Sequence, residues 1–407
     1  MNPTQMIPIY LITVYYLIQL IILILLALAT LYIFIFSVAG LFYFQRSNIP
    51  RMMKRIVVLI PGYKEDEVIV EVSKEALKQS YSRELYDVII IADSFKPETI
   101  EDLKKLPVTV IEVSFDKSTK SKALNKAMEQ ITEKYDIAVV LDADNIMAFD
   151  FLEKVNACFD KNIKAVQGHR SAKNLNTSLA VLDAVSEEIN NHIFRKGHRA
   201  LGLSSAIIGS GMAFDYQYFK NLMLDIKAIG GFDKEIELKI LKAGYKIEYA
   251  HDAYVYDEKV QKADAFTNQR KRWISAQLHY FRKDIVSSVL HLIIKGNVDY
   301  FDKAIQFIQP PRILLLGAII ISTIGFTLIN YLYEIHQKLN LIWFVLLFIC
   351  FLTFLLSIPK RFYNLTTAKA LLELPKGMLL MFGSLLKIKG ANKQFLHTKH
   401  SSANLKR

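Results

Sequence analysis

Asp142 and Asp144 close the run LDAD with a single residue between them. If the backbone turns just after the preceding strand, their carboxylates converge on one hard cation. Mg²⁺ or Mn²⁺ bridging a diphosphate is the chemical use of that arrangement, and two carboxylates do not separate the two metals. The alternative is an acidic strand end that caps a helix expected over Phe149 to Val155. Lys120, Lys122 and Asn125 sit at a second helix start, where a lysine can meet phosphate and an asparagine can orient a ribose or base; a solvated helix face fits equally. In IGSGMAF, Ile208 to Phe214, two glycines permit either a close backbone approach to a flat ligand or a plain tight turn. Glu235 and Glu237 open the helical pattern FDKEIELKILKAG, where Glu235 can act as a base toward a hydroxyl or simply complement the helix dipole. Gln269, Arg272 and Trp273 in QRKRW combine an amide, a fixed-geometry cation and a broad ring. That set suits a sugar and a diphosphate leaving group, and it also suits a basic juxtamembrane helix with its Trp at the lipid boundary.

The elements that must position these groups alternate. IVVLI before Pro61 and Gly62 reads as a buried strand with an abrupt stop, Glu65 to Gln79 as a helix, and Val88 to Ala92, ended by Asp93, as a strand. Val108 to Val113 and Ile137 to Leu141 repeat the strand pattern around a helix over Lys120 to Glu133. The expected fold class is α/β with a mostly parallel central sheet, joined to transmembrane and interfacial helices. Ligands collect at the carboxyl ends of such strands, where Asp93 and Asp142 fall. No glycine-rich phosphate loop, Walker lysine or dinucleotide fingerprint occurs, so phosphates must be met in another way.

The chain's 407 residues are 52% hydrophobic and 22% charged, with the apolar excess gathered into blocks that read as membrane segments. From Ile7 to Phe44 there is no charged side chain, which exceeds the ~20 residues of a spanning helix and favours one long or tilted helix over a hairpin. It lacks a basic leader and a cleavage site, so it is expected to be retained. Ile313 to Leu332 and Leu341 to Ile358 read as a transmembrane hairpin. Arg46, Arg51, Lys54 and Arg55 after the first span, with Lys360 and Arg361 after the last, put the intervening segment in the cytoplasm. The expected division is an anchor over 1–45, a cytoplasmic domain over 46–272, interfacial helices over 273–309, the hairpin over 310–359, and a basic cytoplasmic tail over 360–407 with its own interfacial helix near Gly377 to Ile388. The protein is expected in the cell (inner) membrane. Net charge is +12, but the basic residues lie beside apolar segments, which suits a membrane face better than nucleic acid. Cys158 and Cys350 stand far apart and imply neither a disulfide framework nor a zinc site. A transporter is disfavoured by the absence of repeated spans and of charges within them.

Taken in order, these segments resemble the membrane-bound glycosyltransferases of family 2, the cellulose-synthase-like and hyaluronan-synthase-like group, over most of the chain. LIPGYKEDE is similar to the family's opening strand and turn, which implies that Pro61, Tyr63 and Glu65 lie beside the nucleotide. Asp93 resembles the uridine-contacting acid, KSKALN with Lys120 and Asn125 the pyrophosphate and nucleotide segment, and Asp142 and Asp144 the metal-binding pair. IGSGMAF resembles the acceptor-side loop, and QRKRW keeps the QxxRW spacing that places Gln269, Arg272 and Trp273 near diphosphate and acceptor. HTKH, His397 to His400, resembles a tail segment of some members and carries no assigned role. The family usually has an ED pair whose aspartate is the base. KEIEL offers Lys234 and Glu235 there, so Glu235 is the expected base, its carboxylate displaced by on the order of an ångström by the extra methylene. The resemblance implies inverting transfer from a nucleotide-diphosphate sugar, generally UDP-linked, to a glycan or lipid-linked acceptor, with the bilayer and other glycan-export subunits as partners. The alternative from a different class is a catalytically silent membrane scaffold or assembly subunit for glycan synthesis that keeps the fold.

Overall fold

The computed structural model describes residues 8–44, 52–159, 162–226, 228 and 230–386. Arg46, Arg51 and the tail from Lys387, with its HTKH segment, lie outside the described residues, so the expectations placed on them are not addressed below.

Eight strands form one sheet: β1 Ile56–Tyr63, β2 Tyr86–Asp93, β3 Thr109–Val113, β4 Ile137–Val140, β5 Ile146–Met147, β6 Ala165–Ala172, β7 Met212–Asp215 and β8 Ile247–Asp257. Their order is β3-β2-β1-β4-β7-β6-β8-β5. The β3-β2-β1-β4 half is parallel, as the alternating pattern predicts, whereas β7 runs antiparallel to both β4 and β6. The apolar run of β1 follows from burial on both faces. Val57 and Leu59 join one core cluster, and Ile56, Val58 and Ile60 join the other.

β1 does not stop at Pro61 but pairs with β2 through Tyr63. The reason is local. Leu59 O accepts from Leu141 N, so Pro61, two residues on, turns its N–H-less nitrogen toward the same side, where β4 has already ended.

The helices used below are α1 Ile9–Gly40, α2 Lys120–Gln130, α3 Ser178–Asn190, α4 Phe232–Lys242, α5 Ala263–Lys295, α6 Val298–Ile308, α7 Arg312–Leu332, α8 Lys338–Ser357 and α9 Leu374–Leu386. α1, α7 and α8 are long and apolar enough to cross a membrane. α1 is one continuous helix, as its unbroken apolar sequence implies. α5 runs through the boundary expected after Arg272, so the QRKRW run and the segment expected to lie along the membrane form a single rod.

α1 is tied to its neighbours at two levels. Tyr15 Oη donates to Asn330 Oδ1 (2.7 Å) near the end of α7, and Ser37 Oγ donates to Thr353 O (2.9 Å) in the last turns of α8. Between these levels Tyr32 Oη donates to Asp302 Oδ1 of α6 (2.7 Å), and His198 Nε2 lies 3.3 Å from Asp302 Oδ2. α3 continues into a π-helical stretch, Asn191–Gly197, against which the end of α1 packs. His198 stacks on Phe36 with centroids 3.6 Å apart, and a Cβ on Gly197 would run into the Phe36 carbonyl.

Candidate active site

A cleft of about 470 Å³ opens at the carboxyl ends of β1, β2 and β4, within the ~300–1,000 Å³ range of small-molecule sites. Two turns build one end of it. Lys64 and Ser94, the residues after β1 and β2, both have left-handed backbone (φ 54° and 60°), and Lys64 N–H donates to Asp93 O. Pro61, Tyr63, Glu65 and Asp93 are thereby brought to the cleft wall. Asp93 is buried and accepts from Ser94 Oγ at 2.9 Å.

Asp142 and Asp144 face the same cleft, and neither caps the following helix, which begins at Phe151 beyond Asp150. The helix-capping alternative for LDAD is therefore not what the chain adopts. Asp142 Oδ1 receives Lys120 Nζ at 2.5 Å, and the side chain remains 39% exposed. Asp144 is buried. Its Oδ2 accepts from Glu258 N–H (2.9 Å), its Oδ1 from Asn145 Nδ2 (3.1 Å), and its main-chain carbonyl from Lys173 Nζ (2.8 Å). Burial lowers the Lys173 ammonium below its ordinary value, while Asp144, Glu258 and Asp257 pull the other way. Among the described residues no group of three or more His, Cys, Asp or Glu forms a metal cage. An all-oxygen pair without a cage fits a cation that takes its remaining ligands from water and donor phosphates, the habit of Mg²⁺ and Mn²⁺.

The glycine loop closes over this pair. Asp142 N–H donates to Ser210 Oγ (2.9 Å), and Lys120 Nζ also reaches Gly209 O (2.9 Å). Gly209 and Gly211 have φ of 82° and 61°, a backbone that an L side chain rarely adopts. The glycines of IGSGMAF give the loop a tight turn whose Gly209 carbonyl accepts from the lysine that holds Asp142.

The far wall comes from α5. Gln269, Arg272 and Trp273 are spaced i, i+3, i+4, so one helical face delivers all three to the cleft. Gln269 Oε1 is buried with no hydrogen-bond partner among the described residues. Burial lowers the Arg272 guanidinium below its ordinary value, an environment in which an incoming anion is favoured. Arg270 pairs with Asp183, another residue of the cleft lining, and lies 4.4 Å from the Trp273 ring centroid.

Two expected site residues are elsewhere. Asn125 Nδ2 points to Ile226 O (3.4 Å), behind the cleft wall. Glu235 lies outside the cleft, in a separate hollow with Tyr280, Lys283 and Asp284, and its Oε1 is 3.8 Å from Lys283 Nζ. Helical geometry explains this. α4 begins at Phe232, so Asp233 and Glu237 share the cleft-facing side and Glu235 falls about 200° around the helix from Asp233. Glu237 is consumed by a buried pair with Lys303 Nζ at 2.7 Å.

Sequence reasoning missed a buried ionic floor. Asp257, the last residue of β8, holds Arg170 Nη2 at 2.6 Å and Lys259 Nζ at 2.8 Å, and Arg195 Nη1 holds Glu187 Oε1 at 3.3 Å. Burial raises the Asp257 carboxyl, but Arg170 and Lys259 outweigh it and hold the group at about 2. The alternation Asp257-Glu258-Lys259 just after a strand was the sole local sign, since Arg170 comes from a strand 87 residues earlier.

Comparison with known proteins gives the chain's family. The family model "Glycosyltransferase like family 2" matches residues 53–276, more than half of the chain. The chain is 23% identical over 345 residues, 79% of itself and 80% of the relative, to "Probable glycosyltransferase YdaM" of Bacillus subtilis (strain 168). It is 28% identical over 129 residues to "Glucans biosynthesis glucosyltransferase H" of Rhodopseudomonas palustris (strain ATCC BAA-98 / CGA009), 28% of this chain and 18% of that one. Among solved structures, "Mannosyltransferase PcManGT from Pyrobaculum calidifontis in complex with GDP-Man and Mn2+" aligns over 83% of this chain and 99% of that one, with TM-score 0.49 and 17% identity. The aspartate pair and the QxxRW face that share the cleft both lie in the matched region, and the chain belongs to the family 2 glycosyltransferases.

Proposed function

We propose that this protein is an inverting, metal-dependent glycosyltransferase that moves a sugar from a nucleotide-diphosphate donor, UDP-linked by the family resemblance, onto an acceptor presented at the membrane. The observation that carries the proposal is the joining, in one cleft, of Asp142 and Asp144 with Gln269, Arg272 and Trp273. In this reading Asp93, Glu65, Tyr63 and Pro61 receive the nucleoside, and Asp142 and Asp144 hold Mg²⁺ or Mn²⁺. The ion would supply charge neutralisation at the diphosphate. Arg272 stabilises the negative charge that grows on the leaving diphosphate, and its burial makes that contribution larger than in water. Gln269 offers its unpaired buried amide oxygen to a donor hydroxyl, and Trp273 stacks on the sugar.

The depth of the cleft supports a membrane-borne acceptor. From Tyr15 to Ser37, the levels at which α1 meets α7 and α8, the helix rises ~33 Å at about 1.5 Å per residue, close to a bilayer's hydrocarbon thickness. Tyr32 then sits about 7.5 Å inside the Ser37 level, and it bonds Asp302 of α6. The same helix sends Lys303, Gln306 and Phe307 into the cleft. One end of the cleft thus carries the metal pair while the other is lined by the helix that bonds to α1. We place the domain on the cytoplasmic side, with α5 and α6 along the surface. Exposed Val286, Leu290, Ile293 and Ile294 on α5 form the apolar stripe that such a position requires.

The deciding experiment offers detergent-purified protein a panel of UDP- and GDP-sugars with Mn²⁺ or Mg²⁺ and a membrane lipid extract, and measures nucleotide release. Metal-dependent release from one donor, lost in Asp144→Ala, is the expected result. No release from folded protein across the panel would reject transfer and favour a silent scaffold.

A further inference from the structure

We infer that Asp233, rather than Glu235, is the general base that deprotonates the acceptor hydroxyl. This rests on the transfer reaction proposed above. An inverting displacement forms a bond from the acceptor oxygen to the sugar's anomeric carbon while the bond from that carbon to the diphosphate oxygen breaks. The electron pair leaves with the diphosphate, and the hydroxyl proton needs a carboxylate inside the cleft. Glu235 is outside it.

Of the other carboxylates that line the cleft, Asp93 and Glu65 lie at the carboxyl ends of β2 and β1, where the nucleoside is placed above, and most of the rest are committed. Asp142 and Asp144 form the metal pair, Asp183 is bound by Arg270, Glu237 by Lys303, and Asp257 by Arg170 and Lys259. Glu258 lies at the metal end, where its backbone N–H holds Asp144. Asp233 lines the cleft, and the only cation within ion-pairing distance among the described residues is Lys234, at 3.5 Å.

Its position is the one a base needs. A Cβ placed on Gly209 would stand 3.7 Å from Asp233 Oδ2, and the Gly209 carbonyl accepts from the lysine that holds Asp142. Asp233 is therefore one glycine and one lysine away from the metal pair, where a hydroxyl could approach the anomeric carbon. On its other side Gly231, with φ of 69°, brings the start of α4 against α5, where a Cβ on Gly231 would come within 2.9 Å of the Ala276 Cβ. Ala276 is three residues beyond Trp273 on the wall of the same cleft. The base thus stands between the diphosphate end and the acceptor end.

The test compares wild type, Asp233→Asn, Glu235→Gln and Asp233→Glu in the full-length detergent-purified chain, with UDP plus Mn²⁺ as the binding probe. Transfer is followed from whichever donor of the UDP- and GDP-sugar panel the wild type uses. Asp233→Asn should bind UDP as the wild type does yet lose about 10²–10⁴-fold in kcat, while Glu235→Gln stays within about threefold. Asp233→Glu should retain part of the activity that Asp233→Asn loses. Asp233→Asn with near-normal turnover overturns the assignment while leaving the transferase reading intact. So does Glu235→Gln that binds UDP but has lost transfer, and this arm decides the matter even if Asp233→Asn fails to fold. A wild type that turns over no donor overturns both readings.

Discussion

Replacing Asp257 with alanine tests whether the cleft floor is held by charge pairing. The side chains of Arg170, Asp257 and Lys259 are 10%, 6% and 2% exposed, so removing the carboxylate strands two buried cations, with Glu187 and the more exposed Asp142 as the acids left to act on them. Breaking a buried pair in this way costs about 3–5 kcal/mol. A domain of this size changes by about 2–4 °C per kcal/mol, so Tm should fall by roughly 6–20 °C. A second route gives a similar magnitude. The Asp257 carboxyl is lowered from 3.8 to about 2, which by linkage corresponds to on the order of 2 kcal/mol. Because the group is lowered, that stability is complete above its unfolded value and is lost as pH falls from about 4 toward 2. The assay is thermal unfolding of the detergent-solubilised full chain, followed by tryptophan fluorescence between pH 3 and 7.5. The Arg170→Met/Asp257→Leu double variant should recover part of the loss, since it removes one of the two stranded cations and leaves Lys259 with Glu187 at 3.9 Å. A fall of less than about 2 °C in Asp257→Ala, or a double variant no more stable than the single, would refute the reasoning.

Asp144→Ala removes one of the two carboxylates of a site that has no cage of three or more protein ligands among the described residues, so UDP affinity measured calorimetrically with Mn²⁺ should fall by at least about tenfold while metal-free affinity changes little. Gly197→Ala sets a methyl against the Phe36 carbonyl and should destabilise the contact between α1 and the domain by about 1–3 kcal/mol, read as a lower Tm and faster proteolysis at the π-helical stretch. Glu188, raised by burial but held down at about 2 by His169, Arg361 and Asn191, contributes stability above its ordinary value near 4.5 that disappears toward pH 2. Glu188→Gln should flatten that acid limb of the Tm profile, and an unchanged limb would show that other groups control it.

What could be read from the sequence was whatever depends on short spacing. The i, i+3, i+4 spacing of Gln269, Arg272 and Trp273 already puts them on one helical face. The LDAD run ends a fully buried strand, and three apolar segments of spanning length emerge as helices because length and composition alone define them. The double burial of β1 likewise showed as an unbroken apolar run.

Tertiary structure decided which side chains reach the cleft. Glu235 and Asp233 are two residues apart, and only the observed start of α4 at Phe232 determines that Asp233 faces the cleft and Glu235 faces Tyr280 and Lys283. The ionic floor was invisible for a related reason. Arg170 and Asp257 meet across 87 residues of chain, and their charges identify a partner's sign but not its position. The coupling of α1 to α6 through Tyr32 and Asp302 spans 270 residues. Local pattern fixes an element's type and the spacing on its face, because both follow from backbone periodicity. The rotation of that element against its neighbours is set by packing between distant segments, and that rotation selects the residues that can do chemistry.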